Sequence, residues 1–184
     1  SITFYLYNSD GALNTARTHT NFTNFTNFTG LSDGTYLFSA TVTDSSGNNG
    51  TVSNRSVTLD TTSPVVAYAA TTPADLTNRS INSIYVNATF NETNYQSITF
   101  YLYNSDGALN NSATHTNNTY NKNFTSLIDG TYSFSATVND SANNPTALAN
   151  RSVTLDTTVP VVSYADATPA DASNRSINSI YVNA

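Results

Sequence analysis

Apolar and polar residues alternate with a period of two along most of the chain. Across Ser97–Tyr103, Ile98, Phe100 and Leu102 fall on one side and Thr99, Tyr101 and Tyr103 on the other. Tyr132, Phe134, Ala136 and Val138 share a face whose reverse is Ser and Thr, while Ile84, Val86, Ala88 and Phe90 alternate with Tyr85, Asn87 and Thr89. Val57 and Leu59, copied at Val153 and Leu155, mark a shorter segment. Side chains of a strand point to opposite faces in turn, so the pattern predicts half-buried antiparallel strands. Asn-Ser-Asp-Gly, Asp-Gly-Thr and Ser-Ser-Gly-Asn-Asn-Gly supply turns between them. No window carries a helical apolar period, and an all-β chain is expected.

The alternation is itself repeated. Ser1–Asn14 recurs as Ser97–Asn110, and residues 1–88 align without a gap with 97–184, identical at 64 of 88 positions. A period near a hundred residues is the size of one domain, so the repeat unit is the object to interpret. About seven short strands per unit, with turns roughly every 8–12 residues, predict an immunoglobulin-like sandwich. Leu31-Ser-Asp-Gly-Thr-Tyr36 and its copy Leu127-Ile-Asp-Gly-Thr-Tyr132 have the form of a tyrosine corner. Leu59-Asp-Thr-Thr-Ser-Pro64 recurs as Leu155-Asp-Thr-Thr-Val-Pro160, a strand end followed by a junction that proline stiffens. These marks set one complete unit at residues 63–158. Residues 1–62 carry the later strands of a unit without its first two, and residues 159–184 carry the first strands of another. Joined, the two pieces would supply all but the equivalent of Thr89–Gln96, which is expected to be a turn.

The run from Asp33-Gly-Thr-Tyr36 through Asp44-Ser-Ser-Gly47 to Arg55-Ser-Val-Thr-Leu-Asp-Thr-Thr-Ser-Pro64 resembles the tandem Ig-like repeats, bacterial Ig-like or fibronectin-III-like, of large archaeal and bacterial surface proteins. Through the repeat the resemblance extends over the whole chain. It implies sandwiches arranged head to tail as a rod, in an extracellular setting. It does not imply a particular binding activity, because such modules serve as spacers, adhesins and filament subunits alike.

Composition narrows the function. Only 10% of residues are charged and the net charge is −6, with six basic residues spread singly, so no patch for nucleic acid or anionic lipid is expected. Twelve Tyr and nine Phe in regular alternation argue against disorder. There is no Cys, so disulfides are excluded, and no apolar run is long enough to span a bilayer. Asn, Ser and Thr make up close to half the chain.

That bias contains a second signal, Asn-x-Ser/Thr. It occurs at Asn21, Asn24, Asn27, Asn49, Asn54, Asn78, Asn87, Asn91, Asn110, Asn117, Asn123, Asn139, Asn150 and Asn174. Asn144 fails because Pro145 follows, and Asn183 lacks the Thr that follows its counterpart in the first copy. Random placement of 27 Asn and 54 Ser or Thr in 184 residues would give about eight, so fourteen is an excess over composition. Asn21, Asn24 and Asn27 form a triplet in a stretch without alternation, and Asn87 has the polar parity of its strand. N-linked glycans are expected at several of these positions, since a bulky sugar is tolerated only at the surface.

No Ser/His/Asp grouping, phosphate loop or carboxylate pair stands out, and no enzyme is expected. His19 and His115 occupy the same position in the two copies and read as surface polar residues. Asp44, Asp60, Asp140 and Asp156 lie near unit ends, where one or two carboxylates per junction fall short of the several that calcium takes. They read as turn formers, with no cofactor. The expected function is a structural subunit of an extracellular, glycosylated filament or stalk. Its partners would be neighbouring copies head to tail, joined by strand complementation or as one long polypeptide. The competing expectation is an adhesin whose Tyr-rich faces recognise carbohydrate or a cell-surface partner.

Overall fold

In the computed structural model, which describes residues 1–21, 23–166 and 168–184, the alternating segments are strands and the chain is all-β. The first five are β1 (Ile2–Asn8), β2 (Leu13–His19), β3 (Gly34–Thr43), β4 (Asn49–Thr51) and β5 (Arg55–Leu59). Nine follow: β6 (Val65–Tyr68), β7 (Thr77–Arg79), β8 (Ile84–Asn91), β9 (Tyr95–Asn104), β10 (Leu109–His115), β11 (Asn121–Phe124), β12 (Gly130–Asp140), β13 (Pro145–Ala147) and β14 (Arg151–Leu155). Among the described residues no helix is long and apolar enough to cross a membrane.

The strands from β6 to β14 make two sheets. One has the order β11-β8-β6; the other has the order β10-β9-β12-β14-β7, with β13 also on β12. Their inner faces meet in one core: Ile84, Val86 and Ala88 of β8 and Phe124 of β11 lie in the same buried cluster as Ile98, Phe100 and Leu102 of β9, Phe134 and Val138 of β12, and Val153 of β14. This is an Ig/fibronectin-III-like sandwich, and period-two alternation is what lets each sheet offer one apolar face to the other. Tyr132 closes the corner as expected, its hydroxyl donating to the Ile128 carbonyl at 3.1 Å; Tyr36 donates likewise to Ser32 at 3.0 Å.

One expectation needs correction. The stretch Thr89–Gln96 is not all turn: β8 runs on to Asn91 and β9 begins at Tyr95. Phe90 continues the apolar parity and stacks on Tyr95 at 4.9 Å, with Tyr120 edge-on at 4.7 Å, and this aromatic contact extends both strands. The unit has seven longer strands, with β7 and β13 added as three-residue pieces at sheet margins. β7 runs parallel to β14 and β13 antiparallel to β12.

Residues 1–62 form only the equivalent of the larger sheet, in the order β2-β1-β3-β4 with β5 also on β3. The hairpin between β1 and β2 turns through Asn8–Ala12, where Gly11 has φ 83° and its N–H donates to the Asn8 carbonyl at 3.0 Å. Residues 25–28, which align with β11, form no strand. Residues 159–184, which align with the start of β6 through β8, also form none among those described. In the intact unit β6 pairs with Ala88–Asn91.

Identical side chains therefore have different burial in the two copies. Phe134 and Val153 are 0% exposed, whereas their counterparts Phe38 and Val57 are 39% and 41% exposed. Replacing Phe134 with Ala should cost about 3–5 kcal/mol of unfolding free energy, and Phe38→Ala in dilute protein about 1 kcal/mol or less. Urea unfolding of the two variants measures the difference. Equal losses would contradict it.

Candidate functional site

The chain places its candidate chemistry on two surfaces. The first is the polar exterior. Of the fourteen sequon asparagines all are exposed except Asn87 and Asn139, which are half-buried. Asn21, Asn24 and Asn27 lie between β2 and β3, where the described residues form no strand; Asn117 lies just after β10, and Asn54 and Asn150 immediately precede β5 and β14. Asn49, Asn78, Asn91 and Asn123 are exposed positions within β4, β7, β8 and β11, and Asn174 lies in the last segment. Asn110 is the extra residue at the bulge where β10 shifts register against β9, and its Nδ2 donates to Asn104 Oδ1 at 2.7 Å. Asn87 does have the outward parity expected, between buried Val86 and Ala88, and its Nδ2 lies 3.3 Å from Thr71 Oγ1. Asn139 sits in β12 between Ser97 and Pro145 of its neighbours and, like Asn87, is half-buried.

Threonine pairs tie the rest of this exterior across strands. Thr3–Thr18, Thr99–Thr114, Thr35–Thr58 and Thr131–Thr154 join hydroxyl to hydroxyl at 2.9–3.0 Å. Tyr5 stacks on Tyr7, and Tyr101 on Tyr103, with centroids 6.1 and 6.2 Å apart. The two copies thus present the same face.

The second surface is apolar. The inner side of β1, β3 and β5 forms an open groove of about 420 Å³ whose walls include Phe4, Phe25, Phe28, Phe38, Val57 and Leu59. At the other end of the chain Ile180 and Val182 are 78% and 63% exposed, although their counterparts Ile84 and Val86 are fully buried. Sequence alone implied the apolar parity of both faces through the repeat.

The histidines depart from expectation. His19 and His115 are half-buried, each ring set edge-on to a phenylalanine, Phe4 at 5.9 Å and Phe100 at 6.0 Å. Their Nε2 atoms are buried without a hydrogen-bond partner. These rings are packing residues; period-two parity places them over the core edge, a signal that their Thr/Asn-rich surroundings obscured.

The acidic residues are hydrogen-bond hubs. Asp60 Oδ1 accepts from the Thr62 N–H at 3.1 Å, its Oδ2 from Asn94 Nδ2 at 2.8 Å, and its carbonyl from Asn144 Nδ2 at 2.9 Å. One residue thus joins the strands before the proline to two loops after it. Asn144, which fails as a sequon, also donates to Asp140 through both its backbone and its side chain at 2.8 Å. Burial alone would raise the Asp140 pKa, but the Asn144 backbone and side-chain hydrogen bonds outweigh it and hold the carboxyl below its ordinary value. Asp44 is held low by the side chain and backbone of Asn48. Asp33 grips Thr61 and Thr62, and Asp129 grips Thr157 and Thr158; in each, the backbone hydrogen bond of the first threonine is the largest lowering influence. Among the described residues no three His, Cys, Asp or Glu side chains gather as metal ligands.

Tyr68 is the other distinctive group. Arg151 lies 4.3 Å over its ring and its hydroxyl donates to the Ala149 carbonyl at 2.9 Å. Burial pushes its pKa up to about 12, against the opposing charge of Arg151.

No family model matches the chain, and no curated relative matches it. Among solved structures it is similar to the fibronectin(III)-like modules of Clostridium thermocellum CbhA, at 21% identity, covering 83% of this chain and 76% of that one, with a TM-score of 0.47. It is also similar to the FN1–FN3 domains of chicken CNTN1, at 10% identity over 84% of this chain and 55% of that one, with a TM-score of 0.43. Dimeric latent PorU from Porphyromonas gingivalis matches at 15% identity over 84% of this chain and 16% of that one, with a TM-score of 0.38.

Acid should loosen the loops and the junction. A carboxylate whose folded pKa is depressed contributes stability above its unfolded value, near 3.9, and loses it as pH falls through the folded value. Asp33, Asp44, Asp129 and Asp140 all have this sign. Thermal unfolding from neutral pH to about pH 2 should show a melting temperature that holds above the carboxylate range and falls below it. Asp140→Asn should flatten part of that fall. A melting temperature that rose on acidification would contradict the assignment.

Proposed function

We propose that this chain is a structural element of an extracellular, N-glycosylated surface filament or stalk, in which Ig-like units follow one another head to tail. The observation that carries this reading is the exposure of twelve of fourteen sequon asparagines on a sandwich with little charge. An exterior of Ser, Thr and Tyr with so few charges has little to keep sheet edges from pairing with other chains. Glycans would cover such a surface without using charge. The Asp60 hub and the Asp33 and Asp129 grips on the Thr-Thr pairs support the head-to-tail part, since they limit how far the proline junctions can swing.

The role is mechanical and steric: length from repetition, stiffness from short junctions, protection from sugar. An adhesin remains the second reading, and the stacked Tyr101–Tyr103 pair is the observation that favours it, because planar aromatic faces can stack on sugars. Its recurrence as Tyr5–Tyr7 makes it a property of every unit, which fits an array better than a single binding site.

Native material should lose mass on chemical deglycosylation, with the occupied sites mapping to the exposed sequons and with the half-buried Asn87 and Asn139 the least occupied. Images of the same material should show fibres. An unchanged mass would remove the sugar coat from the proposal, and an Asn139 site filled before the Asn21–Asn27 cluster would contradict the role given to exposure.

A further inference from the structure

A β-sandwich has free edges, and a free edge offers unpaired N–H and C=O groups to any other strand. In the unit of residues 63–158 the edge strands are β10, β7 and β13 of the larger sheet and β11 and β6 of the smaller. Most of them carry an obstacle. β6 is tied across the sandwich, its Tyr68 hydroxyl donating to the Ala149 carbonyl at 2.9 Å. β7 contains Arg79, β11 contains Lys122 and β13 opens on Pro145. Among the described residues of the unit β10 differs: with seven residues it is the longest of these strands, and it holds no proline, lysine, arginine or carboxylate. It holds instead Asn110, an exposed sequon.

The two copies show what that sequon replaces. β2 is the corresponding strand, bulged in the same way against β1, and Asn14 Nδ2 donates to Asn8 Oδ1 at 2.8 Å as Asn110 does to Asn104. The asparagine thus serves the bulge in both copies, and only the residues after it change. Ala16 and Arg17 of the first copy are Ser112 and Ala113 in the second, so a sequon is gained at the step where a charge is lost. The exchange recurs at β4 and β13, where Asn49 of a sequon aligns with Pro145. Charge, proline and sequon stand in for one another at edge strands, and the first two are physical obstacles to strand addition. We infer that a glycan on Asn110 keeps β10 from pairing edge to edge with β10 of a second copy of this chain. This rests on the N-glycosylation proposed above and gives one sequon a specific task. The partner is a second copy because two antiparallel β10 strands are self-complementary about a two-fold axis, have no charge to repel each other, and are brought together by any array of like units.

Attachment is compatible with the bulge. The Asn110 amide has two N–H groups, and the 2.7 Å bond to Asn104 uses one. Glycan transfer at the other forms the Nδ2–C1 bond and breaks the C1–O bond to the phosphate of a lipid-linked oligosaccharide. The phosphate leaves with the bonding pair and the amide proton passes to a base. A partner strand would have to lie within about 4.8 Å of β10, a space that a sugar at Asn110 obstructs.

Ser112 tests this at a single position, because it completes the sequon and is itself exposed. Ser112→Thr keeps the site, Ser112→Ala removes it, and Ser112→Lys removes it while adding a charge. The full 184-residue chain is made with and without glycosylation, and sedimentation velocity and amide exchange are followed against concentration. In glycosylated protein Ser112→Thr should match the wild type, and Ser112→Ala should associate about 10-fold more tightly, with Ser112→Lys restoring the wild-type value. In sugar-free protein the wild type, Ser112→Thr and Ser112→Ala should be alike, and Ser112→Lys about 10-fold weaker. β10 should gain protection with concentration in every tightly associating chain. Association through another surface would be equal in all four chains. Equal unfolding transitions for residues 63–158 separate edge pairing from a damaged fold.

Sugar on other sequons, with Ser112→Ala behaving as the wild type, would overturn the inference and leave the glycosylated array standing. Sugar-free chains in which lysine makes no difference would overturn it too, as would tight association without protection of β10. Native protein with no sugar on any sequon would remove the proposed coat and this role with it.

Discussion

A sheet with one apolar face has to be covered, and that single requirement organises this chain. In the intact unit the cover is the three-stranded sheet β11-β8-β6, and the result is a core in which Phe100, Phe134, Ile84 and Val86 are wholly buried. At roughly 25 cal/mol per Å² of apolar surface, each such side chain contributes about 1.5–3 kcal/mol on burial. A neutral hydrogen bond contributes about 0.5–1.5 kcal/mol net. On β1, β3 and β5, Phe38, Val42 and Val57 are exposed, although Leu6 stays buried.

The exterior is governed by the opposite problem. With few charges, it relies on short-range polar order: threonine hydroxyl pairs across strands, carboxylates gripping the turns and the Thr-Thr junctions, and stacked tyrosines. These contacts define the surface more than they stabilise the fold. They leave the sequon asparagines mostly free, which is the property the proposed glycan coat requires.

Much of this was legible in the chain before any coordinates, and the reason is periodicity. Parity alone assigned Phe134, Val138, Ile84 and Val86 to the core and Asn87 to the outside, and the Asp-Gly-Thr-Tyr run marked the corner that Tyr132 closes. What parity could not supply were contacts made between distant segments. The parallel strand β7 and the marginal β13 exist only because β14 and β12 are beside them. The extension of β8 to Asn91 depends on Phe90 meeting Tyr95 and Tyr120. The hub at Asp60 draws on Asn94 and Asn144, 34 and 84 residues away, and a residue read as a turn former cannot announce such partners. His19 and His115 illustrate the same point, since their polar neighbours in sequence differ from the phenylalanines they meet in space.

In the intact unit, closure of the sandwich by β6 and β8 is the contact on which the fold depends, and amide hydrogen exchange on the full chain tests it most directly. The strands β12 and β8 should be strongly protected, while β3, which leaves Phe38 and Val42 exposed, should exchange faster. Protection of β3 equal to that of β12 would contradict this.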